Sequence, residues 1–309
     1  MIAFIGAGRV GAQAALEVAS EGIDDVRLVD VVPGLAEGEA LDISQKVAET
    51  GVDVDVTGST DFSALRGASV VVITAGLARK PGMTRMDLLG KNAGIVASVS
   101  KEVAKHAPDA VALCVTNPMD VMNYVVLKNT GFPKNRVVGM GGVLDLSRFK
   151  STLSRMLGVS HSSITSLVIG EHGENMLPLP RFTSIGGVPL TKLLNEAQVA
   201  EAIQATRQVA IDVISKKGAT VDAPANAIVR MARAILWDRK EVMPASAFLE
   251  GEYGVDGLCI GVPVVLGARG LERILPLDLD EDEKAQFFKG VQTIRDGISA
   301  VAGLTPHEK

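Results

Sequence analysis

Cysteine and long apolar runs are scarce in this chain of 309 residues. Its two cysteines, Cys114 and Cys259, belong to no Cys-x-x-Cys pair, which excludes a disulfide framework or a cysteine-rich zinc site and favours a reducing compartment. No run of about 18 apolar residues occurs, so no membrane-spanning helix is expected. Residues 1–7 lack the basic segment of an export signal, so we expect a cytoplasmic protein.

A strong excess of charge of either sign is also missing, since the formal net charge is -5. The chain carries 31 basic and 36 acidic residues, and this balance gives no reason to expect nucleic acid or a membrane as a partner. At roughly 150 residues per domain, the length predicts two domains or one large one. Such a chain can bury a stable core without disulfides.

Short runs rich in valine and isoleucine alternate with longer amphipathic segments in the first half of the chain. Such runs are typical of parallel strands buried on both faces, and their alternation with helices predicts a doubly wound α/β sheet. The more polar Val52–Val56 is expected near the edge of that sheet. The other predicted strands are Ile2–Ile5, Val26–Val29, Val70–Thr74, Ala110–Val115 and Val137–Val138, and the predicted helices are Val10–Glu21 and Asp87–His106.

The pattern changes between about residues 140 and 145. We therefore divide the chain into residues 1–142 and residues 143–309, the second of which predicts an α+β domain. Its predicted strands are Ile164–Ile169 and an antiparallel pair, Val242–Leu249 and Cys259–Leu266. Its predicted helices are Leu146–Leu157, Glu196–Lys217, Pro224–Asp238 and Asp280–Ala302.

Glycine is abundant, with 32 residues, and three glycines form a motif directly after the first predicted strand. Gly6, Gly8 and Gly11 give Gly-x-Gly-x-x-Gly, which permits a tight turn, close approach to a pyrophosphate and close packing of the next helix. The first N–H groups of that helix, which begins near Arg9 and Val10, would face the phosphates. The motif predicts dinucleotide binding.

The second predicted strand is followed by Asp30, nineteen residues after Gly11. A carboxylate here can accept hydrogen bonds from both ribose hydroxyls and repels a 2′-phosphate, which predicts NAD rather than NADP. Val31 and Val32 offer no cation for such a phosphate, and NADP use is kept as the lesser alternative. Asp30 could instead be a strand-end carboxylate that faces water.

A loop with three cations, Arg79, Lys80 and Arg85, follows the fourth predicted strand. Open α/β sheets bind ligands at the carboxyl ends of their strands, and a loop hinged at Gly76 and Gly82 can close over a substrate. The planar fork of arginine suits a carboxylate. The alternative is a solvated basic loop without a function.

Among four histidines, His172 stands apart because it follows an apolar strand and has Gly170 and Gly173 beside it. This position suits acid–base catalysis, although a lone histidine is often structural. A base of this kind needs an orienting carboxylate, for which Asp145 is the candidate, with a helix N-cap as its alternative role. Arg148 lies on the same helix face and could instead form a surface salt bridge.

These motifs, together with Val-Thr-Asn-Pro at residues 115–118, resemble the lactate/malate dehydrogenase family, above all its lactate-dehydrogenase-like malate dehydrogenases. The resemblance extends from Met1 to about Ser299. It implies a Rossmann-type α/β domain followed by an α+β substrate and catalytic domain, with NAD as cofactor and no metal. It also implies cofactor contacts at Gly6, Gly8, Arg9, Val10, Gly11, Asp30, Thr74, Ala75, Gly76, Asn92, Val115 and Asn117.

The resemblance further implies roles at the reacting centre. His172 exchanges a proton with the substrate oxygen, and Asp145 holds the ring and favours its protonated form. Arg148 pairs with the carboxylate beside the reacting carbon, while Arg85 closes with its loop and polarises the carbonyl. Asn117 hydrogen-bonds the substrate. The peptide between Asn117 and Pro118 is expected to be cis. Thr220 is implied as a further pocket residue.

Arg79 carries the substrate prediction. The equivalent position in this family is typically arginine in malate enzymes and glutamine in lactate enzymes. A dicarboxylate substrate can pair with Arg79, whereas the methyl group of pyruvate would leave that cation buried without a partner. Malate is therefore the predicted substrate, and a lactate or other 2-hydroxy acid dehydrogenase is the first alternative. The second is a non-catalytic NAD-binding protein, since a fold does not determine function.

The family also implies a homo-oligomer, with a tetramer favoured over a dimer, and a place in the tricarboxylic acid cycle. The long helix predicted over Glu196–Lys217 could supply a subunit interface. Packing against the core would explain its apolar stripe equally well.

Overall fold

The computed structural model of the chain describes residues 1–77 and 84–304, except for the side chain of Arg85. The strands within these residues are β1 (Ile2–Ile5), β2 (Val26–Val29), β3 (Val56–Ser59), β4 (Val70–Ile73), β5 (Val111–Cys114), β6 (Val137–Gly139), β7 (Ile164–Thr165), β8 (Val168–Gly170), β9 (Met176–Pro178), β10 (Ser184–Ile185), β11 (Val188–Pro189), β12 (Glu241–Glu250), β13 (Asp256–Gly267) and β14 (Gly270–Ile274). The helices are α1 (Arg9–Ser20), α2 (Leu35–Thr50), α3 (Arg85–His106), α4 (Met119–Thr130), α5 (Gly142–Leu157), α6 (Glu196–Lys217), α7 (Asp222–Leu236) and α8 (Glu281–Ala300).

The first half forms the parallel, doubly wound sheet that the alternating pattern predicts. Its strand order is β3-β2-β1-β4-β5-β6, and every neighbouring pair is parallel. The chain runs outward from β1 to β3 and then returns to β4 on the other side of β1. The carboxyl ends of β1 and β4 therefore flank the crevice where sheets of this kind bind ligands.

The second half continues the same sheet with antiparallel strands. The order runs on from β6 through β12, β13 and β8 to β9, and the two halves meet where Gly139 pairs with Ser246. The predicted antiparallel pair is confirmed, and both strands are longer than expected. A large core follows the whole sheet, and a smaller one around Phe149 and Leu153 fills the space beneath α5 and α6.

Two strand predictions are wrong in their bounds. Of Val52–Val56, only Val56 enters β3, which continues to Ser59, although the expected edge position is confirmed. The single strand expected over Ile164–Ile169 is interrupted at residues 166 and 167. Its parts, β7 and β8, belong to different sheets, so one apolar run serves two cores.

Two helices were not anticipated, α2 and α4. The helix α4 is buried on nearly all sides, with Met119–Asn123 and Val125–Leu127 inaccessible to solvent, so it shows no polar stripe that a periodic pattern could reveal. The helix α2 buries only every third or fourth residue, among them Ala36 and Ala40, whose small side chains give a weak apolar signal. No helix among residues 1–77 and 84–304 is long and apolar enough to cross a membrane.

Candidate active site

The glycine motif forms a tight turn between β1 and α1. Gly6 has φ +108°, and a Cβ atom there would lie 2.7 Å from Thr74 Oγ1 and 2.8 Å from the Ala75 nitrogen, so no other residue fits without a shift. Thr74 Oγ1 donates a hydrogen bond of 2.9 Å to the Gly6 carbonyl. Gly11 packs against that same carbonyl. The motif therefore joins the ends of β1 and β4 and the start of α1.

The start of α1 can accept a phosphate group. Gly8 is the N-cap and has no side chain to bond the first helical N–H groups, those of Arg9, Val10 and Gly11. A Cβ atom added at Gly8 would meet no protein atom within 4 Å, so this side of the turn is open to a ligand. Unpaired N–H groups and the positive end of the helix dipole favour an anion at this point.

Asp30 lies beside the glycine turn at the end of β2. Its Oδ2 atom accepts a hydrogen bond of 2.7 Å from the Ala7 N–H, and its Oδ1 atom accepts one of 2.9 Å from the Val32 N–H. The carboxylate is therefore fixed by the protein rather than simply facing water. Val31 and Val32 are exposed and uncharged, at 74% and 52% of their full exposure. Together, the turn and this carboxylate fit a dinucleotide with an unphosphorylated ribose.

Asn92 connects the two loops that follow β4 and β5. Its side chain is buried, accepts a hydrogen bond of 2.8 Å from the Leu77 N–H and donates one of 2.7 Å to the Asn117 carbonyl. The peptide from Asn117 to Pro118 is cis, as the resemblance implies. Asn92 therefore supports the position of Asn117.

The ends of β4 and β5 are also in direct contact. Thr116 Oγ1 donates a hydrogen bond of 2.8 Å to the Ala75 carbonyl, and a Cβ atom at Gly76 would approach the Thr116 methyl group to 2.5 Å. Val115 directly follows β5, and its N–H donates a hydrogen bond of 2.9 Å to the carbonyl of Ile73, the last residue of β4. The residues expected at this edge are thus brought together.

Asp145 joins His172 and Arg148 in one buried cluster. Its Oδ2 atom lies 2.7 Å from His172 Nδ1, and its Oδ1 atom accepts a hydrogen bond of 2.9 Å from Arg148 Nη1. The N-cap of α5 is Gly141, so the alternative role of Asp145 as an N-cap is wrong. The pair with Arg148 is a salt bridge, but not a surface one, because the side chains are 3% and 11% exposed.

The charges around His172 favour its protonated form. Burial lowers the pKa of His172, but the Asp145 carboxylate, by its charge and its hydrogen bond, and the charge of Asp120 raise it further than burial lowers it. Arg148 opposes this effect. The net pKa of His172 is above its ordinary value, so the ring can hold and release a proton near neutral pH. With Nδ1 bonded to Asp145, Nε2 is the ring atom available for that exchange.

Two residues that contact His172 were missed by sequence reasoning. Asp120 Oδ2 accepts a hydrogen bond of 2.8 Å from the His172 backbone N–H. A Cβ atom at Gly141 would lie 2.7 Å from His172 Cβ and 2.8 Å from its Cγ, so glycine is required beneath the ring. The available signal for Asp120 was that it is an acidic residue within a largely apolar segment of the sequence. The spacing of Gly141 and His172 along the chain carries none.

For the remaining predicted site residues, Thr220, Arg79 and Arg85, the structure describes few or no side-chain contacts. Thr220 lies between α6 and α7, and its hydroxyl is buried with no hydrogen-bond partner within the described part of the chain. Nearby, a Cβ atom at Gly218 would lie 3.9 Å from Arg9 Nη1 of the glycine turn. Arg79 lies outside the described residues, as do Lys80 and Gly82, and of Arg85 only the backbone, at the start of α3, is described.

Comparison with known proteins gives a consistent result over the whole chain. Residues 1–139 match the lactate/malate dehydrogenase NAD binding domain, and residues 142–304 match the lactate/malate dehydrogenase alpha/beta C-terminal domain. The malate dehydrogenase of Halalkalibacterium halodurans is 44% identical over 304 residues, which are 97% of each chain.

Solved structures of both enzyme types resemble this fold. The malate dehydrogenase of Cryptosporidium parvum has a TM-score of 0.94 and 39% identity, with 98% of each chain covered. The lactate dehydrogenase of Cryptosporidium parvum, solved with lactic acid and nicotinamide adenine dinucleotide, has a TM-score of 0.94 and 38% identity, with 97% of each chain covered. The chain therefore belongs to the lactate/malate dehydrogenase family.

Proposed function

We propose that the protein is a malate dehydrogenase that interconverts (S)-malate and oxaloacetate with NAD as cofactor. The observation that carries the proposal is the Asp145–His172 pair in a chain whose first half forms a parallel sheet of the dinucleotide-binding type. Arg148 donates a hydrogen bond to the second oxygen of the Asp145 carboxylate. Curated relatives named malate dehydrogenase, 44% identical over nearly the whole chain, support the same activity.

The cofactor would occupy the crevice at the carboxyl ends of β1 and β4. When bound, NAD supplies the hydride chemistry, and the protein supplies its binding and orientation. Asp30 would bind the ribose hydroxyls, and its charge disfavours NADP, which is kept as the lesser alternative. The residues proposed to hold the cofactor are Gly6, Gly8, Arg9, Val10, Gly11, Asp30, Thr74, Ala75, Gly76, Asn92, Val115 and Asn117.

His172 is the proposed acid and base. In the oxidation of malate, neutral His172 takes the hydroxyl proton at Nε2, and in the reduction of oxaloacetate the protonated ring returns it. Asp145 fixes the ring through Nδ1 and stabilises its positive charge. Negative charge that develops on the substrate oxygen in the reduction meets the imidazolium ring and the guanidinium of Arg85, so this step needs no metal.

Cations of this chain would orient the dicarboxylate. Arg148 would bind the carboxylate next to the reacting carbon through N–H groups not bonded to Asp145, and Asn117 would hydrogen-bond the substrate. Thr220 would complete the pocket with its buried hydroxyl. For Arg79, the support is its place in the sequence between β4 and α3 and the pattern of the family. There it would pair with the second carboxylate, which pyruvate and lactate lack.

The Arg79→Gln variant tests the substrate assignment. We expect the ratio of kcat/KM for oxaloacetate to that for pyruvate, measured by loss of NADH absorbance, to fall at least ~10-fold, the equivalent of about 1.4 kcal/mol. Lys80→Gln removes a neighbouring cation of the same loop and should leave the ratio unchanged. An unchanged ratio in Arg79→Gln would remove the basis for malate.

Lactate dehydrogenase is the second candidate function. It is favoured by the Cryptosporidium parvum lactate dehydrogenase, whose identity to this chain, 38%, nearly equals the 39% of the malate dehydrogenase from the same organism. Similarity to these two solved structures therefore does not choose between the substrates. A wild-type enzyme that prefers pyruvate to oxaloacetate would favour this second function.

Several finer proposals accompany the activity. We propose a homo-oligomer, a tetramer rather than a dimer, in which the exposed apolar residues Leu41 of α2 and Ile211 and Ile214 of α6 would be covered. Light scattering after size exclusion would measure the subunit number. The division into residues 1–142 and 143–309, the cytoplasmic location and the place in the tricarboxylic acid cycle remain predictions.

A further inference from the structure

A second carboxylate, besides Asp145, touches the segment that carries His172. Asp120 lies in the first turn of α4, is only 3% exposed, and accepts the His172 backbone N–H at Oδ2 over 2.8 Å. Its other oxygen, Oδ1, is buried and has no hydrogen-bond partner among the described residues. The contact joins the two halves of the chain, because α4 belongs to the first half and His172 to the second.

The surroundings of Asp120 solvate its charge poorly. The Ser246 hydroxyl, on a fully buried residue, acts on Asp120 without forming a hydrogen bond of normal geometry, and the buried Asn123 Oδ1 atom has no hydrogen-bond partner in the described part of the chain. Asn123 uses its amide group to donate a hydrogen bond of 3.1 Å to the Ser246 carbonyl. Burial raises the pKa of Asp120 to about 6, although Ser246 and the His172 N–H oppose that rise.

A residue that only anchors the backbone would not require this charge. The side-chain oxygen of asparagine could accept the same N–H bond without the desolvation penalty of a buried carboxylate. The negative charge of Asp120 can stabilise only a neighbouring group that becomes positive. The imidazole of His172 becomes positive in the proposed reaction. Among the described side chains, the charged groups that act on His172 are Asp145 and Arg148 from α5 and Asp120 from α4, and Glu171, beside His172 in the chain, acts on Asp120.

We propose that Asp120 is a positioning residue that anchors the His172 backbone to α4 and, together with Asp145, stabilises the protonated imidazole. This inference rests on the proposed function only in that His172 is the acid and base. Asp145 acts on the ring directly through Nδ1, whereas Asp120 acts through the backbone and through its charge. The two carboxylates offset the charge of Arg148, which would otherwise oppose protonation.

Titration of His172 by NMR tests the inference without any substrate. The chain has four histidines, so labelled imidazole signals are few, and His172→Asn identifies the signal of interest. Asp120→Asn retains an acceptor for the backbone N–H but removes the charge, so we expect the His172 midpoint to fall by ~0.5–1 pH unit. Glu283→Gln is the matched control, because Glu283 is also buried but pairs with Arg181, 2.8 Å away, outside the site.

A second measurement separates the charge from the anchor. The rate constant kcat/KM for oxaloacetate reduction declines with rising pH, and in Asp120→Asn the midpoint of this decline should shift to lower pH by as much as the His172 midpoint does. The loss of kcat in this variant should be small. Asp120→Ala loses the anchor as well, so kcat should fall much further. Asp120→Ser is a second neutral variant if asparagine is not accommodated. An unchanged His172 midpoint in a folded neutral variant would overturn the inference.

Failure of the proposed function would have a different signature. A wild-type protein that reduces no keto acid would contradict the enzyme assignment. The shift of the His172 midpoint between wild type and Asp120→Asn would still be measurable, since it requires no turnover.

Discussion

The Oδ2 atom of Asp145 lies 2.7 Å from Nδ1 of His172. The second oxygen of the same carboxylate binds Arg148 at 2.9 Å. The group that moves the proton and the group proposed to bind the substrate carboxylate therefore share one buried anchor. A displacement of Asp145 would therefore move both groups, Arg148 on the same helix α5 and His172 in the segment after β8.

Asp145→Asn should remove the charge that favours protonated His172. In wild type, the raised pKa keeps the ring protonated to a higher pH, so reduction of the keto acid declines and oxidation of malate rises as pH increases through that pKa. We expect Asp145→Asn to move both profiles to lower pH by about 1–3 units and to lower kcat/KM for reduction at pH 7 by about 10²–10⁴-fold.

Glu102→Gln is the control for Asp145→Asn. Glu102 also pairs with a histidine, His106, at 3.3 Å, but at the far end of α3. Loss of that carboxylate should leave both pH profiles in place. If Asp145→Asn also left them in place, Asp145 would not be the residue that stabilises the positive ring.

Gly141→Ala should displace His172 without changing any charge. The added methyl carbon would lie 2.7 Å from His172 Cβ and 2.6 Å from Met119 Cε, and the ring attachment cannot move aside as a flexible side-chain end could. A misplacement of about 1 Å can reduce turnover about 100-fold, so we expect a loss of kcat in this range. Steady-state rates with saturating substrate measure the effect.

Gly38→Ala serves as the matched substitution. Gly38 is an exposed residue inside α2 where an added Cβ meets no atom within 4 Å, so it should leave kcat unchanged and stabilise the helix slightly. Equal kcat values for the two variants would mean that the packing beneath His172 does not position it.

Asp120→Asn should stabilise the fold at neutral pH while it impairs the reaction. The pKa of Asp120 in the folded protein is about 6, above the ordinary value of 3.8, so ionisation is disfavoured in the fold. The contribution of Asp120 to the free energy of unfolding is present below about pH 4 and is lost as the pH rises through about 6. Ionisation of Asp120 in the folded protein therefore costs about 3 kcal/mol at most. Urea unfolding of both proteins at pH 4, 5 and 7 should show a stability difference that grows with pH. A variant that is less stable than wild type at pH 7 would contradict the expected cost of this charge.

Asp30→Asn should relax the choice of cofactor. Asparagine can still accept one of the two backbone N–H bonds at this position, but it no longer repels a 2′-phosphate. We expect the ratio of kcat/KM for NADH to that for NADPH to fall at least ~10-fold. Asp53→Asn, on the exposed segment before β3, controls for the change of net charge. Strict NADH use by Asp30→Asn would show that other residues exclude NADPH.

Most strands of the first half could be predicted because β1, β4 and β5 are apolar over their whole length. β1 and β2 have the predicted bounds, Ile2–Ile5 and Val26–Val29. The sequence pattern did not predict α4, because a helix buried on nearly all sides has no polar face and so shows no helical periodicity. The division of Ile164–Ile169 between two sheets depends on what packs around each part, which a local pattern does not contain.

The site was predictable only where a motif records its geometry. The glycine turn and Asp30 follow one another within a single βαβ unit, so spacing alone indicated their function. His172 and Asp145 are 27 residues apart, and the resemblance to a family, not spacing, made them a pair. The contacts of His172 with Asp120 and Gly141 arise from packing between the two halves of the chain.

Initial rates of the purified protein, measured for NADH and NADPH with oxaloacetate and with pyruvate, determine its substrate and its cofactor. We expect rapid loss of absorbance with NADH and oxaloacetate, with kcat/KM at least ~10-fold higher than with pyruvate or with NADPH. No turnover of oxaloacetate, or a higher kcat/KM for pyruvate, would contradict the proposed function.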